Sequence, residues 1–394
     1  QERTVDTGTA AALARFLPPA IWCPTVRQGR FTMKFRSTII AGLLLSFASG
    51  SAAAGPAILL DLDSGKVLEH EDVFAPWYPA SLTKLMTTLV VFRAVKAGEI
   101  TLQSPVRISE RAAKEPPSKM GYKPGTVITY ENAIRILMVK SANDVATAIA
   151  ESLTGTRQAF AARMNEEAKR LGMTSTRFVN AHGLHADEQV TTARDLAILA
   201  MAVWNEFPEY HEYYGIEALK AGTQTLDNHN DLIMRFDGAN GMKTGYTCPS
   251  GFNLIATAER QGRSLMAVVI GEPTVEARAD KAANMLARGF ETRGDSSPFI
   301  GQLRASGKEA ASPPNLRPVI CTQEHWKAVE AARGPSGKPK YTSPHLKDLP
   351  QRERVAVAIS TGATGPESKA PRYANVPLPT PRPEYTPTSV AEGG

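Results

Sequence analysis

Cysteine is scarce in this chain. There are three in 394 residues, and Cys23 falls in a leading segment set aside below, so at most one disulfide is available to the rest. No Lys/Arg block interrupts the sequence, and a formal net charge of +6 is mild for this length; nothing in it argues for a nucleic-acid partner. Long apolar runs are missing as well. Ile39 to Phe47 is too short for a transmembrane span, and the C-terminal end shows neither an amphipathic helix nor an apolar anchor, so no membrane anchor is expected of the mature chain. A zinc signature is also absent. His182, His185 and Asp187 lie close in sequence, but their spacing fits no recognised ligand set, so no metal site is expected. Acidic pairs such as Glu166-Glu167 read as a solvated helix face, not as an acid/base dyad.

What is present is an ordinary globular composition, 42% hydrophobic and 21% charged, with ample material for a real core. Residues 33–54, MKFRSTIIAGLLLSFASGSAAA, read as an export signal: Lys34 and Arg36 supply a positive start, Ile39–Phe47 an apolar stretch, and Ala52-Ala53-Ala54 a cleavage site. Residues 1–32 precede that signal and are expected to be non-structural, with Met33 as the start. Export places the mature chain in an oxidising compartment, where the remaining pair, Cys248 and Cys321, invites a disulfide; two independent thiols are the competing expectation.

Hydrophobic patterning predicts strands at Ala57–Leu62 and Lys66–Glu69 around an Asp63-Ser64-Gly65 turn. A helix follows from about Ser81 to Lys96, closed by Gly98. Helices are then expected at 130–140, 145–153, 156–171 and 192–204. Strands recur at 242–247, 252–258 and 264–271, and a helix at 275–290. Helices in the middle, with strands at both ends, predict an α+β fold: one antiparallel sheet built from both ends of residues 55–291, flanked by helices, with a helical subdomain. After residue 292 Pro and Gly become frequent and periodicity fades, so 292–394 is expected to be Pro-rich and largely disordered or loosely docked, apart from a short helix near 325–333.

Three strings carry chemistry: Ser81-Leu82-Thr83-Lys84, Ser141-Ala142-Asn143 and Lys243-Thr244-Gly245. Together and in this order they match a serine acyl-transfer set, S-x-x-K, S-x-N and K-T-G. Ser81 and Lys84, three apart at a helix start, share a face and can exchange a proton. An unperturbed lysine, with a pKa near 10.4, is neutral about once in 2,500 at pH 7, a deficit of roughly 4.6 kcal/mol for a base. Burial and a second cation both lower a lysine's pKa, and Lys243 is the candidate second cation. Ser141 is a candidate proton relay between Lys84 and the leaving amine, and Asn143 a donor to a substrate amide. Lys243 and Thr244 offer a cation and a hydroxyl for a carboxylate, while Gly245 lets a substrate backbone approach the strand. The backbone N–H groups of Ser81 and Tyr246 are the expected oxyanion donors.

With these strings the sequence resembles the D-alanyl-D-alanine carboxypeptidases, low-molecular-mass penicillin-binding proteins of the serine β-lactamase-like superfamily. Asp61-Leu62-Asp63-Ser64-Gly65-Lys66, Pro79-Ala80, Asn180-Ala181-His182-Gly183-Leu184 and Thr191-Thr192-Ala193-Arg194-Asp195-Leu196 support it, over roughly residues 55–291. The resemblance implies a periplasmic enzyme without cofactor. It would remove the terminal D-Ala of peptidoglycan stem peptides through a Ser81 acyl-enzyme, and β-lactams would inhibit it. It further implies that Arg278, after the last strand, helps hold the substrate's carboxylate. Tyr246 stands where better-known members carry a smaller residue or His. A β-lactamase needs a glutamate to activate the deacylating water, and only Glu206 and Glu209 suggest themselves. A D,D-endopeptidase and a non-catalytic wall-binding protein are the competing readings on the same fold.

Overall fold

Residues 57–61, AILLD, form β1 (Ala57–Asp61), buried at every position. The turn after it is held by Asp61, whose Oδ1 accepts from the Ser64 N–H and Oγ, both at 2.8 Å; the chain returns as β2 (Val67–Glu71). This computed structural model describes residues 55–371 apart from 293, 349 and 351. The expected leading segment (1–32) and export signal (33–54) lie outside the described residues.

A 3₁₀ turn, Ala80–Leu82, leads into α1 (Thr83–Lys96). Next come β3 (Pro105–Arg107), α2 (Glu110–Ala113) and β4 (Val127–Thr129), with β3 and β4 paired antiparallel. The helical part continues with α3 (Tyr130–Val139), α4 (Asn143–Thr154), α5 (Arg157–Arg170) and α6 (Ala193–Glu206). Thr129, Thr156 and Thr192 start α3, α5 and α6 by accepting from the backbone N–H three residues on, which satisfies a donor the helix itself cannot. Then β5 (Ala218–Ala221), β6 (Gln224–Asp227), β7 (Ala239–Thr247), β8 (Gly251–Arg260) and β9 (Arg263–Glu272) precede α7 (Val275–Glu291). The described chain closes with α8 (Arg317–Ile320), α9 (Gln323–Arg333) and β10 (Ala356–Ile359).

The main sheet has the order β2-β1-β9-β8-β7, antiparallel at every pairing, as the two-ended strand pattern predicts. Side chains alternate across it. Ile58, Leu60, Ile255, Met266 and Val268 face the core shared with α1, α3, α4 and α6. Ala57, Leu59, Leu254, Ala267 and Val269 face a second core under α7. Burial on both faces explains why β1, β8 and β9 read as continuous apolar runs. At roughly 1.5–3 kcal/mol per fully buried large aliphatic side chain, these two layers dominate the stabilisation. β7 is one of the sheet's two edges among the described residues, and the 3₁₀ turn carrying Ser81 packs beside it.

Beyond residue 292 the structure differs from the expected loose tail. The described residues between 294 and 371 follow a defined path, for two reasons that composition does not register. Cys321 is disulfide-bonded to Cys248, just past β7, which decides between the bridge and the independent thiols. β10 pairs in parallel with β5, making a small sheet β10-β5-β6.

Candidate active site

Ser81 lies in the 3₁₀ turn, with α1 proper starting at Thr83. Its side chain does not cap the helix. The turn is fixed from outside: Ser250 Oγ donates to the Tyr78 carbonyl at 2.6 Å, and β7 runs alongside. At Gly245 a Cβ would stand 3.0 Å from the Ser81 nitrogen and 3.1 Å from that of Leu82. A side chain here would press the strand a few tenths of an ångström away from the nucleophile's own turn, a demand separate from substrate access. Gly183 has the same task on the other side. Its φ is +87°, and a Cβ there would meet the Ala80 carbonyl oxygen at 1.8 Å. Asn180 shapes that loop by accepting from the Gly183 N–H at 2.7 Å and donating to the Leu184 carbonyl at 3.0 Å.

Lys84 is fully buried. Its Nζ donates to Ser81 Oγ (2.9 Å), Asn143 Oδ1 (2.8 Å) and the His182 carbonyl (2.6 Å), so all three donors of the ammonium are used. The two carbonyl oxygens can only accept. A neutral amine would keep N–H bonds to both and turn its lone pair toward the Ser81 hydroxyl, the geometry a base requires. Burial, then the nearby charge of Lys243, push the Lys84 pKa well below its ordinary value, with Asp144 opposing. Lys243 as second cation is thus in place.

Ser141 has φ +58°, a costly conformation for a non-glycine residue, two residues before the start of α4 at Asn143. Its Oγ accepts from Lys243 Nζ at 3.0 Å, so the lysine it is bonded to is Lys243 and not Lys84. Lys243 also donates to the Thr244 carbonyl at 2.8 Å and is 1% exposed. It sits behind Ser141 and does not line the cavity. Asn143 Nδ2 donates to the Pro116 carbonyl at 2.9 Å, and its backbone N–H to the Ser118 carbonyl at 2.7 Å. A segment without periodic signal, residues 116–121, is thereby clamped over the motif. Asp144 completes the clamp by accepting from the Met120 and Gly121 N–H groups.

These parts surround a cavity of about 540 Å³ lined by Ser81, Ser141, Asn143, Thr244, Gly245 and Tyr246, with Arg278 on its wall. Arg278, three residues into α7, is buried and donates to the His229 carbonyl at 3.0 Å and to Asp231 Oδ2 at 3.5 Å. The Tyr246 ring stacks on Phe252 (centroids 4.2 Å apart), and its hydroxyl lies 3.1 Å from Cys321 Sγ, so the side chain leans toward the disulfide. Among the described residues no glutamate lines the cavity. Glu206 pairs instead with Arg93 at 2.7 Å and Glu167 with the same arginine at 2.7 Å, so Glu167 is tied into an ion-pair network. His182 contributes its carbonyl to Lys84, while its ring Nδ1 accepts from the Leu184 N–H. No group of potential metal ligands occurs among the described residues.

A family model described as D-alanyl-D-alanine carboxypeptidase, peptidase family S11, matches residues 46–274. The chain belongs to this family. It is 34% identical over 323 residues to D-alanyl-D-alanine carboxypeptidase DacD of Salmonella typhimurium, covering 77% of this chain and 81% of that one. It is 35% identical over 240 residues to DacC of Escherichia coli, covering 59% of this chain and 60% of the relative's length. In three dimensions it is similar to penicillin-binding protein 6B from Escherichia coli, with a TM-score of 0.58, 36% identity and coverage of 60% and 77% of the two chains. The fold is thus that of the penicillin-binding proteins, as the resemblance implies.

The electrostatics of the carboxypeptidase site yield an expectation about pH. Burial, and then Arg278, lower the Lys243 pKa to about 7. Between that value and the ordinary lysine range the unfolded chain holds a proton that the folded chain has shed, so this burial costs stability below about pH 7 and progressively less above it. Loss of the Lys243 charge also removes the cation that makes the Ser141 hydroxyl a proton donor and that stands behind the carboxylate's place in the cavity. The rate constant for penicillin acylation is therefore expected to fall as pH rises above about 7, and Lys243→Arg, which stays charged, should flatten that limb. A rapid-mixing assay with a fluorescent penicillin reads it; an identical alkaline limb in the variant would contradict the assignment.

Proposed function

We propose that this chain is a serine D-alanyl-D-alanine carboxypeptidase acting on peptidoglycan stem peptides. The observation that carries the reading is the buried Lys84 amine on Ser81 Oγ, 2.9 Å away, at the edge of a cavity that also presents Thr244 and Arg278. Ser81 Oγ attacks the carbonyl carbon of the penultimate D-Ala and its proton passes to Lys84. The backbone N–H groups of Ser81 and Tyr246 receive the oxyanion. The carbon–nitrogen bond breaks, and the terminal D-Ala leaves with a proton supplied through Ser141. The Lys243 ammonium at 3.0 Å makes that hydroxyl a better proton donor. Thr244 and Arg278 hold the substrate's carboxylate directly, and Lys243 adds its field from behind Ser141. Asn143 Oδ1 orients Lys84, and its amide keeps one N–H for the substrate. Water then hydrolyses the ester. We infer export to the periplasm from residues 33–54, and residues 55–291 as the catalytic domain.

The absence of a cavity glutamate among the described residues favours slow release of penicillin over β-lactamase turnover. The penicilloyl-enzyme is expected to survive denaturing electrophoresis; its decay within milliseconds would sink the carboxypeptidase reading. A crosslinked dimer peptide offered beside a D-Ala-D-Ala-terminated pentapeptide separates carboxypeptidase from endopeptidase. The pentapeptide should be cleaved faster, and a clear preference for the dimer would reassign the chain.

A further inference from the structure

Among the described residues, one cation on the cavity wall is accounted for by none of the motifs. Arg354 comes from the segment just before β10, far from every motif in sequence, yet lines the same cavity as Ser81 and Arg278. Its neighbours hold it in place. Arg352 donates to both oxygens of Glu217, at 3.0 and 2.7 Å, and the Val355 N–H donates to Glu217 Oε2 at 2.7 Å. Immediately afterwards the chain enters the parallel β10–β5 pairing, from Ala356 opposite Ala218 to Ile359 opposite Ala221. Further along, the Asn132 amide donates to the Ser360 carbonyl at 3.0 Å, and the Gly365 and Lys369 N–H groups to the Gln103 and Glu99 carbonyls. The strap is therefore built into the domain on both sides of Arg354.

Its own partner is weak by comparison. Arg354 Nε lies 3.3 Å from Asp227 Oδ2, the two side chains being 22% and 59% exposed, and its Nη1 donates to Met234 Sδ at 3.6 Å. An ion pair whose carboxylate stands in solvent contributes little, and that carboxylate is readily exchanged for another anion. A guanidinium fixed by its backbone, weakly paired and facing a substrate cavity has the properties of a preorganised carboxylate receptor. Arg278, by contrast, is buried against the His229 carbonyl and Asp231 and serves the C-terminal carboxylate.

We propose that Arg354 is a specificity-determining residue that receives a second carboxylate of the peptide substrate, apart from its C-terminal one, by displacing Asp227. The proposal rests on the carboxypeptidase reading. It makes the C-terminal strap part of the binding site.

Two peptide pairs test it with the full chain: pentapeptides with an acidic third residue or its amide, and pentapeptides ending in D-Glu or D-Gln. Arg354→Gln should lower the acidic-to-neutral ratio of kcat/KM by about tenfold in at least one pair, the scale of one charged hydrogen bond. Arg354→Lys should restore part of it, and the change should fall mainly on KM. A merely structural role would lower both members of each pair alike, and unchanged ratios in both pairs would overturn the proposal. Failure of the wild-type chain to cleave any of the peptides would instead count against the carboxypeptidase reading.

Discussion

Ser81→Ala is expected to abolish covalent labelling by penicillin and to reduce D-Ala release by about 10⁴-fold or more, the scale seen when an acyl-transfer nucleophile is removed. The two other serines near the cavity are not placed to substitute. Ser141 Oγ is bonded to Lys243, and Ser118 Oγ donates to the Lys140 carbonyl at 2.9 Å. The loss should come without unfolding. Ser81 is half-buried, caps no helix and lies in a turn that alanine accommodates, so stability should change by less than about 1 kcal/mol. Labelling with a fluorescent penicillin, together with a thermal melt, checks both statements. Residual labelling at another residue would contradict the assignment of the nucleophile.

Lys84→Met should produce the second-largest effect, a loss of about 10²- to 10⁴-fold in acylation rate, as expected for removal of a general base. Methionine roughly fills the space but leaves Asn143 Oδ1 and the His182 carbonyl without their buried donor. That costs roughly 1–3 kcal/mol for each acceptor, offset in part because an ammonium no longer has to be buried. The pH profile distinguishes chemistry from packing. In the native chain acylation should fall on the acid side as Lys84 takes up its proton, at a pH far below the ordinary lysine range because burial and Lys243 oppose the charge. In Lys84→Met that limb should vanish along with most of the rate. Its persistence would mean that another group is the base.

The difference between what is legible in the sequence and what is not has a physical basis. β1, β8 and β9 are buried on both faces, so they announce themselves as apolar runs, and α7 has a strong amphipathic pattern that ends where the composition changes. Ser81 and Lys84 can be paired because local spacing puts them on one turn. Long-range contacts leave no such trace. Nothing in the string Asn180–Leu184 says that a backbone carbonyl at His182 will accept from Lys84, since that depends on Gly183 packing against Ala80. The motif predicts a Ser141 that serves Lys84, but its bonded partner is Lys243, which arrives on another element. β6 and β10 are short and partly exposed, and β10 is held by parallel pairing to a strand far back in the chain. Such pairing has no periodic signature. Arg354 therefore carries no sequence signal, while Arg278, three residues into a recognisable helix, does.

Ser81, activated by a buried and neutral Lys84, is expected to release D-Ala from a peptide terminus. The most direct measurement is free D-Ala formed from a D-Ala-D-Ala-terminated pentapeptide at neutral pH in the presence of a chelator, with the native chain and Ser81→Ala side by side. Many equivalents of D-Ala per native chain, and none above background from the variant, are expected. Penicillin labelling of Ser81 with no D-Ala released by the native chain would contradict a carboxypeptidase.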